Sequence, residues 1–456
     1  MGTTSGGSSA VEETAVAAGN GQRPLDAGSQ RPAPAETVGR GGYRPRWWIA
    51  TRPGVWMAAS RVVAGVLVAH VVVVLFPQAL LHSKLGTLST GTWLDAFDRW
   101  DARYYLTIAA HGYPAHASDF RAFFPGYPLM VRLVHDVTGG LLSYTAAGCL
   151  VSFASFVVAS GLLYGLIARR FGTRAALVST LLFCWFPTSL FFLAPYSEAL
   201  FALEIVAVAT LLDRSRWWWA AIVAGYASAT SPESVALTAA LVVAALVARR
   251  GIGRTIGYAA VGSFGAAAFV TFLGIRFGDP LGFSNALPSF HRVVMAPYVG
   301  LIENVGGIVH DLRNPGSAVH VLPNLSAKVL QTNEVWMWMV DDAALILAGV
   351  ALITLIVMAV RAHRDPNSAD HVPVPIAWIV VLAGITLLAS MSVVKVTGAP
   401  ANTEAAARLV SVAFPLYVGL YLLVRRWQAP IIIGLSLSIA AAVLTQIMFN
   451  LGYWVT

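Results

Sequence analysis

Residues 217–250 read WWWAAIVAGYASATSPESVALTAALVVAALVARR. The stretch is apolar almost throughout, and its division decides the fold. Unbroken, it is one long membrane span. Broken at Thr230-Ser231-Pro232, it is two, 217–231 and 232–248. The residue before a proline is biased away from helix, which favours the break. Charge decides between the counts. The other apolar runs are 55–80, 143–167, 174–194, 198–212, 255–276, 335–360, 374–394, 408–425 and 429–450. Arg40, Arg44, Arg46 and Arg52 precede the first run, so the positive-inside bias puts the N-terminus in the cytoplasm. With eleven spans, four more basic clusters fall inside: Arg169-Arg170 with Arg174, Arg249-Arg250 with Arg254, Arg361 with Arg364, and Arg425-Arg426. With ten, Arg249-Arg250 faces out and the downstream clusters flip. The expectation is an all-α polytopic membrane protein of about eleven transmembrane helices, N-terminus in and C-terminus out.

Composition points the same way. The chain has 456 residues, 57% hydrophobic and 11% charged, with a mean hydropathy of +0.69. Soluble domains carry about 25% charged residues, so a soluble reading is excluded. Each apolar run suits a hydrocarbon core of about 30 Å. The net charge of +8 is explained by Lys and Arg in short loops, without nucleic acid. Cys149 and Cys184 lie inside apolar spans and read as small core residues, not as a disulfide or a metal site. Residues 1–45 are rich in Gly, Ser, Ala and Pro and poor in large apolar groups, so a disordered cytoplasmic tail is expected. No apolar core precedes residue 55, so no signal peptide is read there. Residues 46–456 are expected to form the transmembrane domain.

This topology places both long loops, 82–142 and 277–334, on the outer side. Asp98, Asp101, Glu198, Glu233, Asp279, Asp341, Asp342 and Glu404 fall there too, while the inner loops are mainly basic apart from Asp213 and Asp365. Chemistry is therefore expected to face outward.

The first outer loop contains LDAFDRWDARYYLTIAAH, residues 94–111. Leu94, Phe97, Trp100, Tyr104 and Ile108 recur at three- and four-residue spacing, which predicts one amphipathic helix. Trp and Tyr favour the membrane interface. Asp98 and Asp101 are neighbours on a common side, Tyr105 lies four beyond Asp101, and Gly112-Tyr113-Pro114 should end the helix. An ordinary interfacial helix, its acids paired with Arg99, Arg103 or solvent, accounts for this pattern equally.

A longer series adds weight to the catalytic reading. Arg99-Trp100-Asp101-Ala102, Ile108-Ala109, His111-Gly112-Tyr113 and Ala122-Phe123-Phe124-Pro125-Gly126-Tyr127-Pro128-Leu129 follow in order. Leu182-Phe183-Cys184 and Pro195-Tyr196-Ser197-Glu198-Ala199-Leu200-Phe201-Ala202-Leu203 come next, then Gly278-Asp279-Pro280-Leu281, Arg408-Leu409-Val410 and Phe414-Pro415-Leu416. The series resembles the PIG-V mannosyltransferases, which add the second mannose of GPI anchors and have bacterial relatives. It runs from about residue 95 to about residue 420. One departure stands out. Where relatives often carry an Arg-Ser-Asn-like segment, this chain reads Thr230-Ser231-Pro232-Glu233-Ser234. A role of that segment in acceptor binding is therefore in question here.

The resemblance implies a GT-C type glycosyltransferase with a polyprenyl-phosphate sugar donor, an outward-facing site, inversion at the anomeric carbon and an essential acid in the first outer loop. Asp101 matches that acid. Sugar transfer needs a base for the acceptor hydroxyl, and a positioned carboxylate supplies about 10²–10⁴-fold. Asp101 is the first candidate, then Asp98 and Glu198. Glu198 opens a span, where helix capping alone would also explain an acid. The lipid phosphate leaving group needs charge stabilisation. Arg408 is the leading candidate, with Lys395, His111 and Arg292 behind it. Trp100, Tyr105, Tyr196 and Asp279 complete the expected substrate-binding set, although Asp279 is also a natural turn residue. Asp341-Asp342 sit inside a span, where ionisable groups are costly. Asp98, Asp101 and Glu198 offer oxygen ligands to Mg²⁺ or Mn²⁺, yet no ligand spacing demands a metal.

The expected partners are the lipid-linked donor, a glycolipid, glycan or protein acceptor, and membrane lipid. The Ala- and Val-rich, Lys-poor composition suggests a high-GC bacterium and hence a multi-pass plasma-membrane protein building an envelope glycan. A transferase of another polyprenyl-phosphate sugar, arabinose or glucose, is the nearest alternative. A lipid-linked sugar transporter or flippase is the next, although no clear internal repeat is present.

Overall fold

The computed structural model describes residues 97–296, 325–365, 374–394 and 405–450, with scattered positions elsewhere. The expectations for the 1–45 tail and most of the 55–80 span lie outside the described residues. The opening stretch is broken where the proline rule put the break. One helix runs Trp217–Thr230, the next Ser234–Val247. Ser231 between them is extended, with φ −151° and ψ 143°. Each has 14 residues, about 21 Å at 1.5 Å per residue, shorter than a hydrocarbon core.

Helices dominate the rest. In chain order they are α1 (Asp101–His111), α2 (Gly126–Val137), α3 (Tyr144–Phe171), α4 (Thr173–Cys184), α5 (Glu198–Asp213), α6 (Trp217–Thr230) and α7 (Ser234–Val247). Then come α8 (Ile252–Gly262), α9 (Phe264–Phe277), the single turn α10 (Gly282–Asn285), α11 (Leu325–Arg364), α12 (Ile376–Met391), α13 (Ala406–Ser411), α14 (Pro415–Val424) and α15 (Gln428–Asn450). Among the described residues, three helices are long and apolar enough to cross a membrane: α3, the Met339–Arg364 part of α11, and α15. The pair α8 and α9, bent by 50°, makes a fourth if it is one span. The bend falls at Gly262-Ser263, a usual place for a helix to yield.

Several expectations change. The expected 174–194 span is α-helical only over Thr173–Cys184, and the expected 408–425 span is divided between Ala406–Ser411 and Pro415–Val424, where Pro415 starts a new helix. The sequence predicts one helix over 94–111, but α1 starts at Asp101 because Trp100 takes a positive φ of 48°. A left-handed residue cannot continue a right-handed helix. The expected 374–394 span stops at Met391. Ser392–Val394 instead form a strand, β2, antiparallel to β1 (Arg292–Val294), with Val293 opposite Val393. This ribbon, the one strand pair among the described residues, ties the segment after α10 to the end of α12.

Packing is close and uses small residues, as between membrane helices. α6 meets α8 and α9 through Gly225 and Gly265. A Cβ on Gly225 would lie 2.4 Å from the Val261 carbonyl oxygen, and one on Gly265 2.4 Å from that of Gly225. α3 packs on α4 and α5, α7 on α12, and α11 on α13 and α14. One buried cluster threads these helices apart from α9, filled by Phe156, Phe183, Phe192, Phe414 and Tyr417, while Phe269 and Leu273 of α9 pack with Phe124. The outward side chains are also apolar, including Ile275 at 84% exposed and Ile252 at 75%. Such continuous exposure suits contact with lipid.

Candidate active site

Tyrosine hydroxyls hold residues 113–148 together. Tyr113 donates to the Phe123 carbonyl at 2.6 Å and Tyr127 to that of Gly148 at 2.8 Å. Tyr226, from α6, donates to the Gly126 carbonyl at 2.8 Å. A Cβ on Gly126 would lie 2.7 Å from Thr230 Oγ1, so only glycine allows α2 to start against the end of α6. Through these bonds residues 122–129 hold Phe123 and Phe124 as part of a cavity wall.

That cavity has a volume of about 670 Å³. Three separate parts of the chain meet in it. Asp101 opens α1, Glu198 opens α5, and Arg408 lies in α13. Arg408 Nη1 donates to Asp101 Oδ2 at 2.7 Å. Its Nε lies 3.0 Å from Glu198 Oε1, a charge contact that is not aligned as a hydrogen bond. Phe191 and Tyr196 rings lie 5.3 and 5.6 Å from the guanidinium carbon. Little of the trio is exposed: 15% of the Arg408 side chain, 18% of Asp101 and 7% of Glu198. Charges so screened from water persist only when paired.

Neighbouring contacts fix the trio. Tyr105 and Ser197 share a hydrogen bond of 2.9 Å, and Tyr196 donates to the Arg99 carbonyl at 3.3 Å. Residues 195–198 are thus joined to the first loop. Burial, and next the Glu198 charge, push the Tyr105 phenol well above its ordinary pKa, so it stays a neutral hydroxyl. Arg408 is held through the backbone of the residue before it. The fully buried Asp341 accepts from the Ala407 N–H at 2.7 Å, and Thr188 Oγ1 donates to the Ala407 carbonyl at 3.3 Å. Ser411 Oγ donates to the Arg408 carbonyl at 2.6 Å.

Of the expected site residues, Asp101, Tyr105, Glu198, Arg292 and Arg408 line this cavity, and Tyr196 lies beside Arg408. Trp100 sits just before Asp101, its ring 5.1 Å from Phe449. Asp98 does not line the cavity; its carbonyl accepts from Arg103 Nε at 3.2 Å. His111 is exposed at the far end of α1. Asp279 accepts from Asn285 Nδ2 at 3.0 Å, a turn contact outside the cavity lining. Lys395 lies outside the described residues.

The cavity also gains residues that were not in the expected set. Ser231 and Glu233, from the break between α6 and α7, line it, with Ser231 Oγ donating to the Glu233 carboxylate. His291 joins from the segment just before β1. Below the break, buried Glu204 accepts from Thr230 Oγ1 at 2.9 Å. The signal for Glu204 was an acid inside an apolar span. Among the described residues no three His, Cys, Asp or Glu side chains gather as a metal site. Arg408 already occupies the place between Asp101 and Glu198, so these donors do not fit a divalent cation, and no step below uses one.

Comparison with known proteins covers the same region. Residues 77–248 match the family described as Mannosyltransferase (PIG-V). GPI alpha-1,6-mannosyltransferase 2 of Mus musculus is 37% identical over 134 residues, 27% of this chain and 27% of its own. The Homo sapiens protein of that name is 33% identical over 162 residues, 34% of this chain and 30% of its own. GPI mannosyltransferase 2 of Drosophila pseudoobscura pseudoobscura is 36% identical over 117 residues, 24% of this chain and 25% of its own. The matched part thus spans less than a third of each of these relatives. Residues 77–248 contain Asp101, Glu198 and the tyrosine-anchored loop, and over them the chain is similar to the PIG-V mannosyltransferases.

Proposed function

We propose that the protein is a membrane mannosyltransferase. It moves mannose from a polyprenyl-phosphate mannose donor to a glycolipid, glycan or protein acceptor on the outer face of the plasma membrane. The observation that carries this reading is the meeting of Asp101, Glu198 and Arg408 in one large cavity. The reading includes eleven spans with the N-terminus inside, which puts that cavity outside.

The chemistry follows from the groups. The acceptor hydroxyl attacks the anomeric carbon from the face opposite the phosphate. The bond from that carbon to the phosphate oxygen breaks, and its electron pair leaves with the polyprenyl phosphate. Asp101 takes the hydroxyl proton, and the new glycosidic bond has inverted configuration. Arg408 stabilises charge growing on the leaving phosphate, which requires it to loosen from a carboxylate as the donor enters. Glu198 keeps the guanidinium in place during that exchange. Aromatic walls at Phe123, Phe124 and Phe290 exclude water from the reacting centre.

The test is transfer of radiolabel from polyprenyl-phosphate mannose to a membrane glycolipid extract by purified protein in lipid. Wild type should transfer label, and folded Asp101→Asn should lose at least about 100-fold. Equal transfer by both would make Asp101 structural and turn attention to Glu198 or Asp98. Labelled lipid crossing the bilayer without transfer would replace the enzyme reading with a transporter.

A further inference from the structure

We infer that a second cavity, at the far end of the Met339–Arg364 span from the active site, binds the headgroup of an anionic phospholipid. It has a volume of about 600 Å³ and lies between the last turns of α11 and the turn joining α14 to α15. Arg361, Arg364, Arg425 and Arg426 line it, against one carboxylate among its described lining residues, Asp365. Basic residues at the end of α11 alone would be an ordinary complement to the helix dipole. The second pair comes from a different element, and two helix ends converging on one cavity exceed what the dipole asks for.

Its position also fits a lipid. Two of the three candidate membrane spans, Met339–Arg364 and Gln428–Asn450, end or begin here. Asp341, which steadies the Arg408 segment, is 20 residues before Arg361 on the same helix, about 30 Å at 1.5 Å per residue. The cavity is therefore one hydrocarbon thickness from the active site, at the headgroup level of the other leaflet. Its walls change character with depth. Ile353, 63% exposed, and Leu423, 45% exposed, offer apolar surface on the bilayer side, and Trp427, 59% exposed, sits at the rim like an interfacial anchor. Guanidinium groups bind phosphate oxygens in pairs, while the apolar wall suits an acyl chain. A soluble phosphate would use only the first feature. Basic pockets between helix ends are a recognised form of anionic lipid site.

The test is native mass spectrometry of the full chain released from nanodiscs of equal phosphatidylglycerol and phosphatidylcholine. Wild type should retain phosphatidylglycerol selectively, and Arg361→Gln with Arg364→Gln should cut that preference by about 10- to 30-fold. Arg364→Glu, at an exposed position, is a second variant should the pair prove unstable. Arg132→Gln, in an exposed pair with Asp136 elsewhere, should change nothing. Millimolar inorganic phosphate should not displace the lipid. No preference in wild type, or an unchanged preference in both variants, overturns the inference. Full displacement by inorganic phosphate overturns it too, by making the ligand a free anion.

Discussion

Arg408 serves two acids at once, and each single-residue change has its own signature. Arg408→Gln leaves Asp101 and Glu198 facing each other without a cation, and breaking a buried pair in this way costs about 3–5 kcal/mol. We expect a lower melting temperature together with loss of transfer. Glu198→Gln removes one claimant on the guanidinium and leaves the Asp101 contact. The expected result is KM for the donor unchanged or lowered while kcat falls. A raised donor KM with unchanged kcat would show that Glu198 contacts substrate instead of holding Arg408. The three residues were legible in the sequence because each sits in a distinctive local series. Their mutual geometry was not, since Asp101 and Arg408 are 307 positions apart. The backbone at Trp100 was equally hidden. Residues 94–111 have sound helical periodicity, but periodicity carries no information about a single left-handed residue.

Short helices do the positioning. α13 has six residues, too few to hold itself in place. Asp341 and Thr188 grip the two polar groups of Ala407, from 66 and 219 positions away. Asp341→Ala removes the acceptor, and we expect kcat to fall about tenfold or more through misplacement of Arg408. Asp341→Asn keeps an oxygen for the Ala407 N–H and should restore most of the rate. Equal damage from both variants would show that the carboxylate charge matters, not the hydrogen bond. Sequence reading marked Asp341 as costly inside a span but could not name its partner, because a backbone N–H has no residue signature. The break at 231–233 was visible from Pro232 alone. Its use as cavity wall was not, because the break becomes a wall only when α1, α5 and the segment around β1 stand around it.

For the whole molecule, the eleven-span topology makes a direct prediction. His116 is exposed in the first outer loop, and Ile252 is exposed at the start of α8. In intact cells, an impermeant maleimide should label His116→Cys and spare Ile252→Cys until the membrane is opened. Labelling of both from outside would favour ten spans. Wild type, with Cys149 half-buried and Cys184 buried, gives the background. The cavity itself draws on chain positions from Asp101 to Val412. Within the trio, Asp101 and Glu198 leave the ribosome before Arg408. A nascent chain therefore carries Asp101 and Glu198 without Arg408 to pair them until synthesis reaches α13. We expect a chain cut short before α13 to transfer no label, because its cavity lacks Arg408.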